Sequence, residues 1–255
     1  MAFLGYVCVW GYWMLVPYLN SSLSVQMLNV GNALSILIKL PHNQGNILFD
    51  AGIDSLNKNN SLILDYLKRE GINTLDAVFI SHNHQDHNNN LQYLQQNLYI
   101  RNIYTNKLMQ KTYNINGFKF DNWAFNYYEQ IKEQDENNRS LVLFWEYQRH
   151  KFLLTGDLEK SGEKKLLNYI LPQKINLFQV AHHGSNSSTS DEFLKIINPE
   201  TCIISTKKTN NRNLPHPLVM QRLEQNCDNI YTTNNNQTII YNVKNYQHFI
   251  STLIK

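Results

Sequence analysis

Ala77-Val78-Phe79-Ile80-Ser81-His82-Asn83-His84-Gln85-Asp86-His87 is the stretch on which the reading of this chain turns. Its first four residues form a short apolar run, which reads as a buried strand. The run leads directly into three imidazoles and one carboxylate within six residues. Imidazole and carboxylate together suit zinc, manganese or iron. A histidine placed two residues after another in a loop can chelate the same ion, and the following Asp86-His87 pair can then turn toward a second. Four ligands are too few for two ions, so partners must come from elsewhere in the chain.

Three later segments offer them. Leu153-Leu154-Thr155-Gly156-Asp157 ends an apolar strand with an acid, placed either to bridge two ions or to cap the next helix. Val180-Ala181-His182-His183-Gly184-Ser185 ends another strand with paired histidines and a Gly-Ser turn. Leu214-Pro215-His216-Pro217 sets a histidine just before a helix. All of these follow apolar strands or open helices, which is where open sheets gather ligands.

The surrounding pattern is that of an α/β protein. Residues 25–29, 35–40 and 46–50 predict three short strands in an antiparallel start, separated by Gly31 and Gly45. Leu62, Leu64 and Leu67 are spaced for the buried face of a helix over 61–70, with Ser61 as a possible cap and Gly71 beyond its end. Further helices are expected at 91–98, 160–170, 191–197 and 217–226, the last opened by Pro217. Residues 141–145 and 152–154 predict a hairpin, and strands are expected at 177–181, 201–205 and 238–243.

Composition bounds the rest. Of 255 residues 42% are hydrophobic and 12% aromatic, enough for a real core and against disorder. A formal charge of +3 tolerates a polyanionic substrate without demanding one. Cys8, Cys202 and Cys227 are widely spaced and form no C-x-x-C pair, which excludes a disulfide scaffold and a cysteine-based zinc ribbon. Residues 1–19 are almost wholly apolar, and no charge occurs before Lys39. At ~1.5 Å per residue this length approaches a bilayer core, while the basic opening and small-residue cleavage site of a secretory signal are missing. The expectation is a leader over 1–22 that anchors in a membrane through residues 1–19, followed by one domain over 23–255. The plainer alternative is an aromatic-rich segment packed on that domain.

H-x-H-x-D-H after a strand resembles the metallo-β-lactamase fold, an αββα sandwich with a dinuclear metal site. In order and spacing, "SHNHQDH", "FLLTGDLE", "VAHHGSNSS", "FLKIINPETCIIS" and "PHP" resemble the C-terminal domain of ComEC-type competence DNA-uptake proteins, over roughly residues 25–243. The opening "LNVGNALSILI" with "NILFDAG" resembles that domain's first hairpin. There are departures. Asn29 and Leu34 stand where the family usually carries acids, Asn88 and Asn89 where it carries glycines, and Pro215 where a glycine precedes the H-P.

The resemblance implies two divalent ions, zinc or manganese. His82 and His84 would hold one, and Asp86 and His87 the other. Asp157 would bridge them, and His182 or His183, with His216, would complete the shells. Asp50 would orient a ligand histidine. Asp86, Asp157 and His183 would be the catalytic set. The implied activity is a nuclease of the uptake process, in which a hydroxide between the ions attacks phosphorus in line. Gly184, Ser185, Lys207, Lys208 and Arg212 would grip the backbone of single-stranded DNA. The resemblance also implies placement at the inner membrane beside a channel protein, with the domain facing the periplasm or exterior. Two other readings stay open: a weak or inactive DNA-guiding module of a translocation channel, favoured by Asn29 and Leu34, and a two-metal hydrolase of a small ester, lactone or phosphodiester.

Overall fold

The computed structural model describes residues 10–12, 15–54, 60–106, 110–124, 136–170, 172–207, 213–234 and 237–254. Sixteen strands are described: β1 (Leu23–Met27), β2 (Ile36–Lys39), β3 (Asn46–Phe49), β4 (Thr74–Leu75), β5 (Ala77–Ile80), β6 (Tyr99–Ile100), β7 (Ile103–Thr105), β8 (Lys111–Ile115), β9 (Phe118–Trp123), β10 (Val142–Tyr147), β11 (His150–Leu154), β12 (Ile175–Gln179), β13 (Pro199–Ile204), β14 (Asn229–Thr232), β15 (Gln237–Lys244) and β16 (Gln247–Ile254). The helices used below are α1 (Leu62–Arg69), α2 (Gln85–Asn88), α3 (Leu91–Asn97), α4 (Lys160–Leu166), α5 (Asp191–Ile197) and α6 (Pro217–Asn226).

Two seven-stranded sheets result, in the orders β16-β15-β1-β2-β3-β5-β7 and β14-β13-β12-β11-β10-β9-β8. The start is antiparallel, β1 against β2 and β2 against β3. After it, β3, β5 and β7 run parallel, as do β11, β12, β13 and β14. Parallel strands covered on both faces should be apolar throughout, and β5 obeys. Ala77 and Phe79 enter the core between the sheets, while Val78 and Ile80 pack outward with α1 and α3 residues such as Leu67 and Leu94. β10 divides in the same way, with Leu143 and Trp145 inward and Val142 and Phe144 toward the layer of α4, α5 and α6. Each fully buried Phe, such as Phe79 or Phe152, contributes roughly 1.5–3 kcal/mol of apolar burial. The layers run helix, sheet, sheet, helix, which is the expected αββα sandwich.

Several expectations shift. The helix expected over 160–170 ends at Leu166. Ser61 makes no cap to a backbone N–H; its hydroxyl donates to Asp65 instead. The hairpin of β8 and β9 was not anticipated, although Asn116-Gly117 turns it with φ of 51° and 93°, the left-handed pair such turns require. β16 extends the chain past the strand expected to close it. Cys202 and Cys227, 25 residues apart, are joined by a disulfide that ties β13 to the end of α6. Among the described residues no helix is long and apolar enough to cross a membrane. Of the apolar leader, residues 10–12 and 15–19 are helical, with Trp10, Leu15 and Tyr18 exposed; the remainder of residues 1–19 lies outside the described residues.

Candidate metal centre

The loop after β5 is fixed mainly by backbone. Ala51 N–H donates to His87 O (2.7 Å), Leu34 N–H to Asp86 O (2.9 Å) and Gly52 N–H to Leu34 O (2.9 Å). A Cβ on Gly52 would lie 1.7 Å from Asp86 O, so only glycine lets the two loops touch. Asp50, at φ 59°, closes the arrangement through its side chain. Its carboxylate accepts from Ser81 N–H (2.7 Å) and the Ser81 hydroxyl (2.8 Å), and it lies 2.7 Å from His87 Nδ1. A proton held on Nδ1 leaves Nε2 of His87 free to bind a metal. The Leu34 side chain is buried in the inter-sheet core, while its backbone N–H holds the loop at Asp86. Asn29 N–H donates to Thr238 Oγ1 (3.3 Å).

The other sheet supplies the opposing wall. β11 ends in Thr155-Gly156-Asp157. Gly156 has φ 56°, and a Cβ there would meet Ser81 at 2.7 Å. Gln179, buried at the end of β12, accepts from Thr155 N–H and Gly156 N–H (2.8 and 2.9 Å) and donates to Gly156 O (3.0 Å). The backbone N–H of Asp157 donates to Ser140 Oγ (3.1 Å), and the N-cap of α4 is Glu159, so Asp157 does not cap that helix. After β12, His182, His183 and Gly184 all take left-handed backbone, at φ 51°, 54° and 80°. His183 Nδ1 lies 2.8 Å from Ser205 O.

The two walls bring Asp86, His87, Asp157 and His183 together, with one ligand atom of each within 4.8 Å of the others. His87 Nε2 is 3.1 Å from Asp157 Oδ1, and His183 Nε2 is 3.6 Å from Asp86 Oδ2. Among the described residues, the buried atoms His82 Nε2, His87 Nε2, His183 Nε2 and Asp157 Oδ1 have no hydrogen-bond partner. Three of them, His87 Nε2, His183 Nε2 and Asp157 Oδ1, belong to the close group, and buried polar atoms left without a partner are costly unless a cation joins them. The nitrogen and carboxylate set fits a divalent ion.

The charges agree. Burial alone would neutralise Asp157, yet His87, His183 and His82 hold its carboxyl well below the usual range. Burial likewise opposes charge on Asp86, but the neighbouring His183 and the charge of His87 prevail, leaving it at about 2. The carboxylates of Asp157 and Asp50 overcome burial at His87 and raise it well above an ordinary imidazole. His183 is raised against burial by Asp86 and Asp157. His82 is pushed down to about 3, chiefly by burial and next by His87. Burial lifts the Asp50 carboxyl against the pull of His87 and Ser81. A field that draws a proton onto His87 also draws a divalent cation.

The remaining predicted residues are placed as follows. His84 is exposed, its ring 4.6 Å from that of His82. His182 is partly exposed, with Nε2 3.7 Å from Asp157 Oδ2. His216 lies outside the close group: its Nδ1 accepts from Leu218 N–H (3.2 Å) as the cap of α6, and its own N–H donates to Gly184 O (2.8 Å). Ser185 N–H is committed to His182 O. Lys207 is half exposed and paired with Asp54 at 3.6 Å. Lys208 and Arg212 lie outside the described residues. His150 sits at the start of β11, the far end from the site.

Sequence reading missed the supports of the paired-histidine loop. Buried Glu163 accepts from Thr189 N–H and from Ser190 N–H (2.9 Å). Arg222 donates to Ser188 O (3.3 Å), Thr189 O (3.2 Å) and Asn186 Oδ1 (2.7 Å). Neither residue has a motif around it, and each partner lies more than twenty residues away.

A sandwich with a His/Asp cluster at the ends of its strands is the architecture of the metallo-β-lactamase superfamily, and a family model of that superfamily matches residues 28–110. The chain carries that fold, and its curated relatives include competence proteins of the ComEC type. ComE operon protein 3 of Bacillus subtilis is 29% identical over 265 residues, covering 90% of this chain and 34% of the relative. Recombination protein 2 of Haemophilus influenzae is 31% identical over 216 residues, covering 79% of this chain and 26% of the relative. The chain thus spans about a third or less of these proteins. Among solved structures, the metallo-β-lactamase fold protein YhfI of Bacillus subtilis superposes with a TM-score of 0.54 at 11% identity, over 91% of this chain and 100% of that one, a likeness of fold.

Proposed function

We propose that residues 23–255 form a metal-dependent phosphodiesterase that acts on DNA, single-stranded in the first instance, during competence-linked uptake. The observation that carries this is the convergence of orphaned buried ligand atoms from both sheets at one point. The likeness to competence proteins supports DNA as the substrate class. Two divalent ions, zinc or manganese, would provide Lewis acidity and a water activated near neutral pH. The chain's own part is to hold them. His82 and His84 take one side, Asp86, His87 and His183 the other, and Asp157 stands between. Asp50 and Ser205 fix the rings of His87 and His183 through their Nδ1 atoms. Lys207, Lys208 and Arg212 would carry the phosphate backbone away from the site. Residues 1–19 would anchor the domain to the inner membrane beside a channel protein, with the site on the outer side.

The test uses the full chain, loaded with manganese and incubated long with labelled single-stranded DNA at excess enzyme. Two bound ions and cleavage are expected, with both abolished by His84→Ala combined with Asp86→Ala. Two ions without cleavage of any DNA point to a small ester, lactone or phosphodiester as substrate. An ion-free protein under replete conditions ends both enzymatic readings and leaves a DNA-guiding module.

A further inference from the structure

Resting on the anchoring role proposed above for residues 1–19, we propose that the end of the sandwich opposite the candidate metal centre lies against a lipid surface, so that the centre faces away from the bilayer into water.

Strand direction sets the two ends. Asp86 and His87 follow β5, Asp157 follows β11 and His183 follows β12, so the candidate centre lies where these strands finish. The leader joins the opposite end. It runs into β1 through Ser21 and Ser22, and two turns hold it there, one from each sheet. In the turn before β3, His42 N–H donates to Asn20 O (2.6 Å) and His42 Nδ1 lies 2.9 Å from Tyr18 O. At the turn before β11, the Tyr147 hydroxyl donates to Ser21 O (3.1 Å). β3 runs parallel to β5, so both turns sit where the strands of the site begin. The five residues of β11, at ~3.3 Å each, separate the two ends by about 17 Å.

The leader has no cover of its own. Trp10, Tyr12, Leu15, Tyr18 and Leu19 are each more than half exposed, and no described residue of the leader joins any of the three apolar cores. Its holds on the domain are made through backbone carbonyls. The plainer alternative, an aromatic-rich segment packed on the domain, is therefore not what the described residues show. A helical segment that is apolar throughout needs an apolar surrounding, and Trp and Tyr favour the boundary between lipid and water.

The end that carries the leader suits headgroups. Tyr246, in the turn between β15 and β16, is 64% exposed; its N–H donates to Gln148 Oε1 (2.9 Å), and the Arg149 guanidinium lies 5.6 Å from its ring centre. Arg149, Lys119 and Lys244 are exposed at this end, while Glu146 stands opposite Lys151 across the hairpin. Exposed cations beside an apolar anchor attract anionic lipid. The separation also matters to the substrate. Headgroup charge is screened over ~8 Å at physiological salt, so a centre about twice that far above the lipid is open to a DNA strand that the headgroups would otherwise repel.

The test places the full chain in vesicles of phosphatidylglycerol and phosphatidylethanolamine that carry a nitroxide quencher on the headgroup. A fluorophore is attached to Arg149→Cys at one end or to Gln85→Cys at the other, each with Cys8→Ser so that the label is unique. Quenching at position 149 should exceed that at position 85 by about threefold or more, because the ~17 Å between the ends outranges contact with the quencher. Equal quenching at the two positions, stronger quenching at position 85, or quenching at neither with the chain bound would overturn this inference and leave the anchor intact. A chain that does not enter or bind the vesicles would overturn the anchor and the inference together. Should Arg149→Cys fail to fold, Tyr246→Cys reports on the same end, and weak quenching there refutes the proposal.

Discussion

The two walls of the candidate metal centre are built on different principles. The wall from the first sheet is one continuous loop held flat against its neighbours by backbone hydrogen bonds, with Gly52 in contact with the Asp86 carbonyl. The wall from the second sheet is assembled from separate strand ends. Its paired-histidine turn is held in a left-handed conformation by side chains, Glu163 and Arg222, that lie outside the site. Close backbone contact leaves few alternatives to the first wall. The second depends on each remote contact in turn, so it should be the softer of the two.

The comparison is broken most severely at the residue between the walls. Asp157→Asn should lose at least one ion per chain, read by elemental analysis, and turnover should fall by more than the ~10–100-fold typical of groups behind a ligand. Full occupancy with normal turnover would remove Asp157 from the centre. Gly52→Ala tests the rigid wall by steric intrusion. It should lower stability by about 3 kcal/mol, seen in denaturant unfolding, because neither backbone can retreat. An unshifted midpoint would show that this loop yields easily. Asp50→Asn keeps the shape while weakening the hold on His87, and metal affinity measured by calorimetry should drop ~10–100-fold. Glu163→Gln probes the soft wall. It turns an amide N–H toward a backbone N–H, and a loss of about 2 kcal/mol is expected, with a weaker ion at His183. Equal metal affinity before and after that change would mean that the paired-histidine turn keeps its shape without its support.

How much of this was legible in the sequence follows the same division. The loop 81–87 announced itself because its candidate ligands are contiguous and sit at a strand end. Asp157 and the His182-His183 pair could be found because each follows an apolar run, although the sequence left open which of the two histidines joins the site. The supports could not. Gln179, Ser140 and Arg222 are common residue types whose partners lie far along the chain, and nothing local marks a glutamate such as Glu163 as buried. The β8–β9 hairpin did carry a signal, Asn116-Gly117, but its strands alternate with charged and polar residues that dilute the apolar pattern. β16 is an edge strand exposing Phe249 and Leu253, so little burial shapes its sequence. The cysteine pair was opaque for a topological reason: 25 residues separate two sulfurs that meet only because α6 folds back along β13.

That disulfide has a consequence for the integrity of the chain. Cys202 and Cys227 close a covalent ring that contains Ser205, Lys207, His216 and the whole of α6. A protease cut between Lys207 and Asn213 would open the peptide without dividing the molecule. The severed pieces would run as one band on a non-reducing gel and part only on reduction, and Ser205 and His216 would remain on one tethered assembly after the break.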